Sequence, residues 1–143
     1  MESLKISDYM NRHPVTFTTD MTVAQAVELF LKAKQIGGPV IDEHRHVIGF
    51  LSEQDCLKKM IEATYLNEYH DVVGDVMHLE PLTVHANGSV LDIAQQMTHA
   101  KPKIYPILDE NEQLIGVINR SDVLRAIDNQ LKSMYEKGHT RMV

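Results

Sequence analysis

The strongest constraint on this chain is a seven-residue motif that occurs twice, 67 residues apart. Residues 49–55 read Gly-Phe-Leu-Ser-Glu-Gln-Asp, and residues 116–122 read Gly-Val-Ile-Asn-Arg-Ser-Asp. Both copies place two apolar residues before a polar one and an aspartate, a pattern typical of a buried strand that leads into a helix. A helix start also presents open backbone N–H groups to an anion. The motif predicts either a well-capped helix or a ligand site, and its duplication favours the ligand site.

The duplication extends well beyond this motif. Residues 8–60 align with residues 75–127 at the same offset without a gap, and self-similarity at a fixed spacing indicates a repeated structural unit. The identical pairs are Asp8/Asp75, Met10/Met77, Pro14/Pro81, Thr16/Thr83, Val23/Val90, Ala33/Ala100, Lys34/Lys101, Pro39/Pro106, Asp42/Asp109, Glu43/Glu110, Ile48/Ile115, Gly49/Gly116, Asp55/Asp122 and Leu57/Leu124.

Each unit opens with a short helical turn that ends at Met10 or Met77, followed by a proline and a short extended segment. An amphipathic helix comes next, and Thr22 and Ser89 stand where its N-cap is expected. Apolar residues recur there at helical spacing. They are Val23, Ala26, Val27, Phe30 and Ala33 in the first unit, and Val90, Ile93, Ala94, Met97 and Ala100 in the second.

A β-hairpin and a closing helix complete each unit. We expect the first amphipathic helix to end near Gly37 and Gly38, and the second to end at Pro102. Two short apolar runs joined by an acidic turn then predict a hairpin in each unit, over residues 39–51 and 106–118. The closing helices are expected to bury Leu57, Met60, Ile61 and Tyr65 in the first unit, and Val123, Leu124, Ile127 and Leu131 in the second.

The predicted fold is α+β, with two duplicated β-α-β-β-α units packed sheet to sheet around a pseudo-twofold axis. A unit of about 55 residues makes a marginal core by itself, so the two units are expected to share one domain. The predicted boundaries are residues 1–66 for the first repeat, 67–71 for a linker, 72–132 for the second repeat and 133–143 for a polar, frayed tail.

Composition narrows the class of protein. A formal net charge of −6 over 143 residues argues against a nucleic-acid surface, because phosphate binding requires clustered Lys and Arg. The single cysteine, Cys56, excludes an internal disulfide and suits a reducing compartment. No apolar run approaches the roughly 18 residues of a membrane span. We therefore expect a cytoplasmic protein without a nucleic-acid or membrane partner.

The order of these motifs resembles a tandem pair of CBS (cystathionine-β-synthase) domains, the arrangement called a Bateman module. Besides the repeated motif, the resemblance is carried by Asp-x-Met…Pro openings at residues 8–14 and 75–81, and by the runs Gly-Pro-Val-Ile-Asp at 38–42 and Tyr-Pro-Ile-Leu-Asp at 105–109. It covers about residues 4–131 and leaves no catalytic domain. The resemblance implies a non-enzymatic regulatory module, expected to form a homodimer and to signal to an unidentified protein target.

The resemblance also implies a regulatory ligand that contains adenosine, such as AMP, ADP, ATP or S-adenosylmethionine, with no required cofactor and no metal. In the family, each of two clefts combines the polar-x-x-Asp of one repeat with the opening strand of the other. One predicted cleft, the Asp122 cleft, joins Asn119, Ser121 and Asp122 to Val15, Thr16, Ile36 and Gly37. The other, the Asp55 cleft, joins Ser52, Gln54 and Asp55 to Leu82, Thr83, Lys103 and Ile104.

These residue types suit such a ligand. An aspartate can accept hydrogen bonds from both ribose hydroxyls, and a hydroxyl with helix N–H groups can hold a phosphate. Arg120 and Lys103 are nearby cations, able to pair with a phosphate or to remain solvated. Asn119 replaces the Ser or Thr of the family pattern, so the two clefts should differ in affinity. Additional polar groups favour the Asp122 cleft.

Other interpretations stay open beside this one. Asp55 and Asp122 are also suitable helix caps, and Met10 and Met77 either pack in a core or line the clefts. The histidines at 44 and 46 invite a metal site, but an exposed turn fits better because no third ligand is near. No phosphate-loop or nucleophile-elbow motif supports an enzyme. The rival function is an interaction or oligomerisation module whose clefts have lost ligand binding.

Overall fold

The computed structural model describes residues 4–99 and 102–142, and side chains as far as residue 136. A 3₁₀ turn at Ile6–Asp8 opens the first repeat, which continues with α1 (Val23–Ala33), β1 (Gly37–Ile41), β2 (Val47–Ser52) and α2 (Glu53–Leu66). The second repeat contains α3 (Val73–Val76), β3 (His78–Leu79), β4 (Val84–His85), α4 (Val90–Met97), β5 (Ile104–Leu108), β6 (Leu114–Asn119) and α5 (Arg120–Met142). The predicted α+β duplication is confirmed.

Local sequence signals account for the helix starts and the hairpins. The Thr22 hydroxyl accepts from the N–H of Gln25, whose side chain accepts from the N–H of Thr22, so α1 begins with a capping box. Ser89 caps α4 by accepting from the N–H of Leu91. β1 pairs antiparallel with β2, and β5 with β6, as predicted. These interactions join residues close in sequence, which is why the sequence reveals them.

Side-chain hydrogen bonds fix the hairpin turns. The Asp42 carboxylate accepts from the main-chain N–H groups of His44 and His46, at 2.8 and 2.9 Å. These bonds, led by the one from His46, lower the pKa of Asp42 despite an opposing effect of burial. Asp109 accepts from Asn111 and Gln113 in the second repeat in the same way. The acidic turns are therefore defined structures.

The two repeats exchange their opening segments. The strands form two three-stranded sheets, ordered β1-β2-β3 and β4-β5-β6. β3 belongs to the opening of the second repeat but pairs with β2 of the first. In the mirrored position, Asn11 of the first repeat exchanges hydrogen bonds of 2.8 and 3.0 Å with Val117 of β6. Each sheet is thus completed by the other repeat.

The exchange explains the glycine that begins the repeated motif. A Cβ on Gly116 would lie 2.6 Å from the carbonyl oxygen of Asn11, because the opening of the first repeat crosses β6 there. A Cβ on Gly49 would lie 2.5 Å from the Met77 sulfur, where the opening of the second repeat crosses β2. A side chain at either position would displace the crossing segment.

The hydrophobic cores are exchanged too. One core packs Ile6 and Met10 of the first repeat among residues of the second, including the fully buried Tyr105. The other is built from the first repeat and receives Val73 from the second. The buried members of the first core are Ile6, Met10, Val90, Ile93, Met97, Tyr105, Ile107, Ile118, Val123 and Ala126. Those of the second are Phe17, Val23, Ala26, Phe30, Val40, Leu51, Cys56 and Val73.

The two hairpin turns meet on the pseudo-twofold axis. His46 and Gln113 occupy equivalent positions and bridge to each other. The Leu114 N–H donates to the Arg45 carbonyl at 2.8 Å, and the Arg45 guanidinium donates to the Leu114 carbonyl at 3.2 Å. The turn that contains His44 and His46 therefore connects the two repeats.

The amphipathic helices end earlier than the sequence predicts. α1 ends at Ala33, because Lys34 adopts a left-handed conformation (φ 56°) and its N–H bonds to the Phe30 carbonyl. α4 ends at Met97, where the Thr98 hydroxyl donates to the Gln95 carbonyl. The predicted helical position Ala100 lies outside the described residues.

The predicted burial of the closing helices is wrong for most of the residues named. Leu57 and Leu124 are 57% and 65% exposed, because the preceding residues Cys56 and Val123 face the core and turn them outward. Met60 and Ile127 are half-buried. Ile61, Tyr65 and Leu131 are exposed. α5 continues to Met142 without a break, so the segment predicted as a frayed polar tail is helical as far as that residue.

Candidate functional site

The repeated motif forms a capping box at the start of α2. The Ser52 hydroxyl accepts from the N–H of Asp55 at 3.1 Å and donates to Asp55 Oδ2 at 2.7 Å. Asp55 Oδ2 also accepts from the N–H of Ser52 at 3.1 Å. The helix therefore occupies one carboxylate oxygen and leaves Oδ1 facing outward.

A residue of the other repeat reaches that outer oxygen. His78 Nε2 lies 2.9 Å from Asp55 Oδ1. The carboxylate is only 17% exposed, whereas the imidazole is 67% exposed. The polar-x-x-Asp of the first repeat and the opening of the second thus meet in space through His78, a residue outside the predicted Asp55 cleft.

The start of α5 reproduces this geometry with different side chains. Asn119 Oδ1 accepts from the N–H of Asp122 at 2.8 Å, and Asp122 Oδ2 accepts from the N–H of Asn119 at 3.0 Å. Arg125 donates to Asp122 Oδ1 at 3.1 Å. Asn119 therefore preserves the cap without a hydroxyl, and the cation beside the outer oxygen comes from the same helix.

The helix N–H groups are partly used by the neighbouring strands. The Glu53 N–H donates to the Ile36 carbonyl at 2.9 Å, and the Arg120 N–H donates to the Lys103 carbonyl at 3.0 Å. Together with the capping bonds, these contacts satisfy two of the first three N–H groups of each helix. An anion at either helix start would rely mainly on side chains.

A cavity of about 430 Å³ lies beside the start of α2. It brings together Ser52, Gln54, Lys103 and Ile104 of the predicted Asp55 cleft. Ile36 and Gly37, predicted for the Asp122 cleft, line the same space, as do Phe50, Glu53 and Pro102. Residues of both predicted clefts thus line one cavity, where Lys103 supplies a cation and Glu53 an opposing carboxylate.

None of the other predicted residues, Asp55 and Asp122 included, is among those that line this cavity. Val15, Thr16 and Thr83 are half-buried, and Leu82 is exposed. Ser121 and Arg120 are exposed at the start of α5. Met10 and Met77 pack against the two cores.

Sequence reasoning missed three polar or aromatic residues at these clefts, namely Gln35, His78 and Phe50. Gln35 bonds to the main chain of Val15, and His78 bonds to Asp55. Only Phe50 carried a usable signal, because it lies inside the repeated motif. The other two act over 20 and 23 residues of sequence separation, so no local pattern marks them.

Other chemistry finds little support in the described part of the chain. Burial raises the pKa of the Cys56 thiol to about 11, with further contributions from the Asp55 and Glu53 carboxylates, which disfavours a nucleophilic thiolate. Within residues 4–99 and 102–136, no group of three His, Cys, Asp or Glu side chains is arranged to hold a metal ion. None of the helices described is both long and apolar enough to cross a bilayer.

The chain thus contains two β-α-β-β-α repeats with exchanged openings. In each repeat a polar-x-x-Asp motif begins the closing helix, so the fold is a pseudo-twofold tandem-repeat module. The chain belongs to the CBS domain family, whose model matches residues 6–62 and 73–129. The resemblance found in the sequence is therefore confirmed.

Two known proteins are similar to this chain in sequence. The chain is 29% identical to the chloroplastic CBS domain-containing protein CBSX2 of Arabidopsis thaliana, over 85% of this chain and 62% of CBSX2. It is 24% identical to the choline transport ATP-binding protein OpuBA of Bacillus subtilis, over 89% of this chain and 32% of that protein. The chain thus spans less than two thirds of the length of these relatives.

Solved structures give the same result. A crystal structure of CBSX2 in complex with AMP matches with a TM-score of 0.77 at 29% identity, over 90% of this chain and 98% of that chain. The CBS domain pair of protein MJ0100, in complex with 5′-methylthioadenosine and S-adenosyl-L-methionine, matches with a TM-score of 0.73 at 20% identity, over 86% and 98% of the two chains. At that identity the second match supports the fold alone.

Proposed function

We propose that this protein is a non-catalytic regulatory module that binds an adenosine-containing ligand in the clefts between its repeats. The observation that carries the proposal is the contact between His78 and Asp55, which joins the opening of one repeat to the polar-x-x-Asp of the other at 2.9 Å. The AMP complex of the similar protein CBSX2 supports the ligand class. AMP, ADP, ATP and S-adenosylmethionine all remain candidates, and a cytoplasmic location remains a prediction of the sequence.

The ligand would act by linkage between the repeats. Ligand in a cleft contacts both repeats, so it favours the relative placement that it binds best. It can shift this equilibrium only by its difference in affinity for the two placements. An unidentified protein target would bind one placement of the repeats in preference to the other.

We propose further that two copies of the chain pair through their helices. Leu31 and Leu57 on the first helix pair, and Leu91 and Leu124 on the second, are exposed in the single chain. A groove of about 390 Å³ between α1 and α2, lined largely by apolar side chains, lies beside Leu57. Exposed apolar surface of this kind marks interaction sites. Sedimentation of the purified protein tests for the homodimer.

Ligand binding is tested by calorimetry with AMP, ADP, ATP, NAD and S-adenosylmethionine. We expect Asp55→Asn and Asp122→Asn each to weaken binding at one cleft by about 10- to 100-fold, because a charge-assisted hydrogen bond contributes about 1.5–3 kcal/mol. Asparagine keeps an acceptor for the helix cap, so folding is preserved better than with alanine. Asp128→Asn, on the exposed surface of α5, is the matched control. Unchanged binding in the double variant would reject the assigned clefts.

A second candidate function is an interaction module with clefts that do not bind ligand. It is favoured by the internal pairing of both aspartates, with His78 on Asp55 and Arg125 on Asp122. Absence of binding with every compound in the panel, together with a stable homodimer, would support it.

A further inference from the structure

A strand pairing is interrupted beside Val15. The segment before α1 pairs in parallel with β1: the Phe17 N–H donates to the Pro39 carbonyl at 3.0 Å, and the Ile41 N–H donates to the Phe17 carbonyl at 2.9 Å. Continued by one rung, this pattern requires an N–H on residue 39 to bond the Val15 carbonyl. Pro39 has no N–H. The rung cannot form, so the ladder opens at Val15.

The side chain of Gln35 fills the opening. Its Oε1 accepts from the Val15 N–H at 3.1 Å, and its Nε2 donates to the Val15 carbonyl at 3.2 Å. Nε2 also donates to the Gly37 carbonyl at 2.8 Å. The Gln35 carboxamide thus bonds both the N–H and the carbonyl of Val15, because its acceptor and donor atoms lie side by side.

Gly38 makes room for this arrangement. A Cβ at this position would lie 2.8 Å from both Gln35 Nε2 and the Val15 carbonyl oxygen. Any other residue would press on the amide and on the strand that it bonds. Gln35 and Gly38 therefore form a matched pair.

The second repeat has the same opening but lacks the pair. Pro106 occupies the position of Pro39, so the rung beside Leu82 is missing as well. Pro102 and Tyr105 stand at the positions of Gln35 and Gly38. Proline has no side-chain donor or acceptor, and among the described residues no side chain bonds the main chain of Leu82. Within the described part of the chain, the two equivalent edges therefore differ: a side chain bonds the main chain of Val15 and none bonds that of Leu82.

We propose that Gln35 is an intramolecular competitor for a 6-aminopurine base at the Val15 edge, which makes the two clefts bind unequally. This inference rests on the proposed function. The N1 and 6-amino groups of adenine present the same acceptor and donor as the Gln35 carboxamide. A base on Val15 must first displace that side chain, and its apparent affinity falls in proportion to the fraction of molecules with the edge open. The Leu82 edge needs no such step and is filled first.

The proposal runs opposite to the sequence-based preference for the Asp122 cleft. Polar side chains near Asp122 favour that cleft, but Gln35 already bonds the Val15 main chain on its other side. With Gln35 in place, occupancy of the second cleft requires a higher ligand concentration. The module would then respond to ligand in two steps.

The experiment is titration calorimetry of the full chain with AMP and with IMP. Gln35→Ala and the length-matched Gln35→Met are compared with wild type, and Gln96→Ala on the exposed surface of α4 is the control. We expect both Gln35 variants to raise the AMP affinity of the weaker site about tenfold, the effect of hydrogen bonds that no longer need to be displaced. IMP carries a donor at N1 and an acceptor at position 6, the reverse of adenine. Its affinity should therefore not increase in the Gln35 variants, and their selectivity for AMP over IMP should rise.

The outcomes separate this proposal from the proposed function. AMP binding by wild type with unchanged affinity in both Gln35 variants would overturn the competition and leave the function standing. Equal gains for AMP and IMP would also overturn it, because they would indicate general loosening. No nucleotide binding by wild type or either variant would overturn the proposed function, and the competition with it. A shift of the Gln35 side-chain amide signals in NMR spectra only during the second binding step is the expected direct observation.

Discussion

Asp55 and Asp122 each hold a helix start with one carboxylate oxygen and pair the other with a basic side chain. The inner oxygens accept from the main chain of Ser52 and Asn119. The outer oxygens are paired with His78 and Arg125. A ribose hydroxyl that binds either carboxylate would therefore have to displace the basic side chain already paired with it. This exchange reduces the net gain from each new hydrogen bond and favours modest affinity.

Cys56 should be unreactive in the folded protein. Burial raises its pKa from 9.0 to about 11, so at pH 8 the thiolate fraction is roughly 100-fold lower than for the unshifted thiol. We expect modification by a thiol reagent to be at least that much slower in buffer than in denaturant. Fast labelling without denaturant would show that the start of α2 opens readily. A single labelled site per chain is expected because the sequence has one cysteine.

At the residue scale, the sequence predicts contacts that span a few positions and misses those that span many. The caps Thr22 and Ser89 are predictable because a cap and its partner lie within three residues. Gln35 and His78 are not, because their partners are brought near by strand pairing and by the exchange of openings. The lack of an N–H on Pro39 is visible in the sequence, but its consequence depends on a neighbouring strand.

The elements follow the predicted order, and the differences concern where helices end and which way they face. Strands and hairpins were predictable because apolar runs and acidic turns alternate regularly. Helix ends were less so, since Lys34 ends α1 in a left-handed conformation that favours glycine and asparagine over lysine. The outward faces of α2 and α5 carry leucines that a sequence pattern assigns to a core. Periodicity shows that a helix is amphipathic and does not show what covers it.

These leucines lead to a prediction about helix pairing. Leu57→Asp and Leu124→Asp place a charge on the proposed interface, so each should raise the dimer dissociation constant by at least about tenfold, the loss of one well-buried apolar contact. Analytical ultracentrifugation over a range of concentrations measures it. Leu79→Asp, at an exposed leucine of β3 outside these helices, is the control. A wild-type chain that remains monomeric at high concentration would contradict the helix pairing.

At the scale of the whole molecule, neither repeat contains its complete core. Ile6 and Met10 serve the core of the second repeat, and Val73 serves that of the first. The hairpin turns add a second connection through Arg45 and Leu114. Stability should therefore belong to the pair of repeats and not to either alone.

Separating the repeats tests this view. We expect fragments 1–67 and 68–143 to be largely unfolded when each is dilute, because each lacks the opening turn that fills its core. Mixing them should restore helical circular dichroism and a cooperative thermal transition, with a midpoint that rises with concentration. If either dilute fragment alone melts cooperatively like the full chain, the repeats are independent and the exchanged cores contribute little.

The crossing of Asn11 over Gly116, and of Met77 over Gly49, also bears on the history of the chain. A protein with one such repeat would complete its core by exchanging its opening segment with that of a second copy, as in a domain-swapped dimer. The present chain is equivalent to that dimer with its two subunits fused through a short connection. After such a fusion the two repeats cannot diverge independently in sequence. The opening segment of each repeat must still pack against the sheet and core of the other.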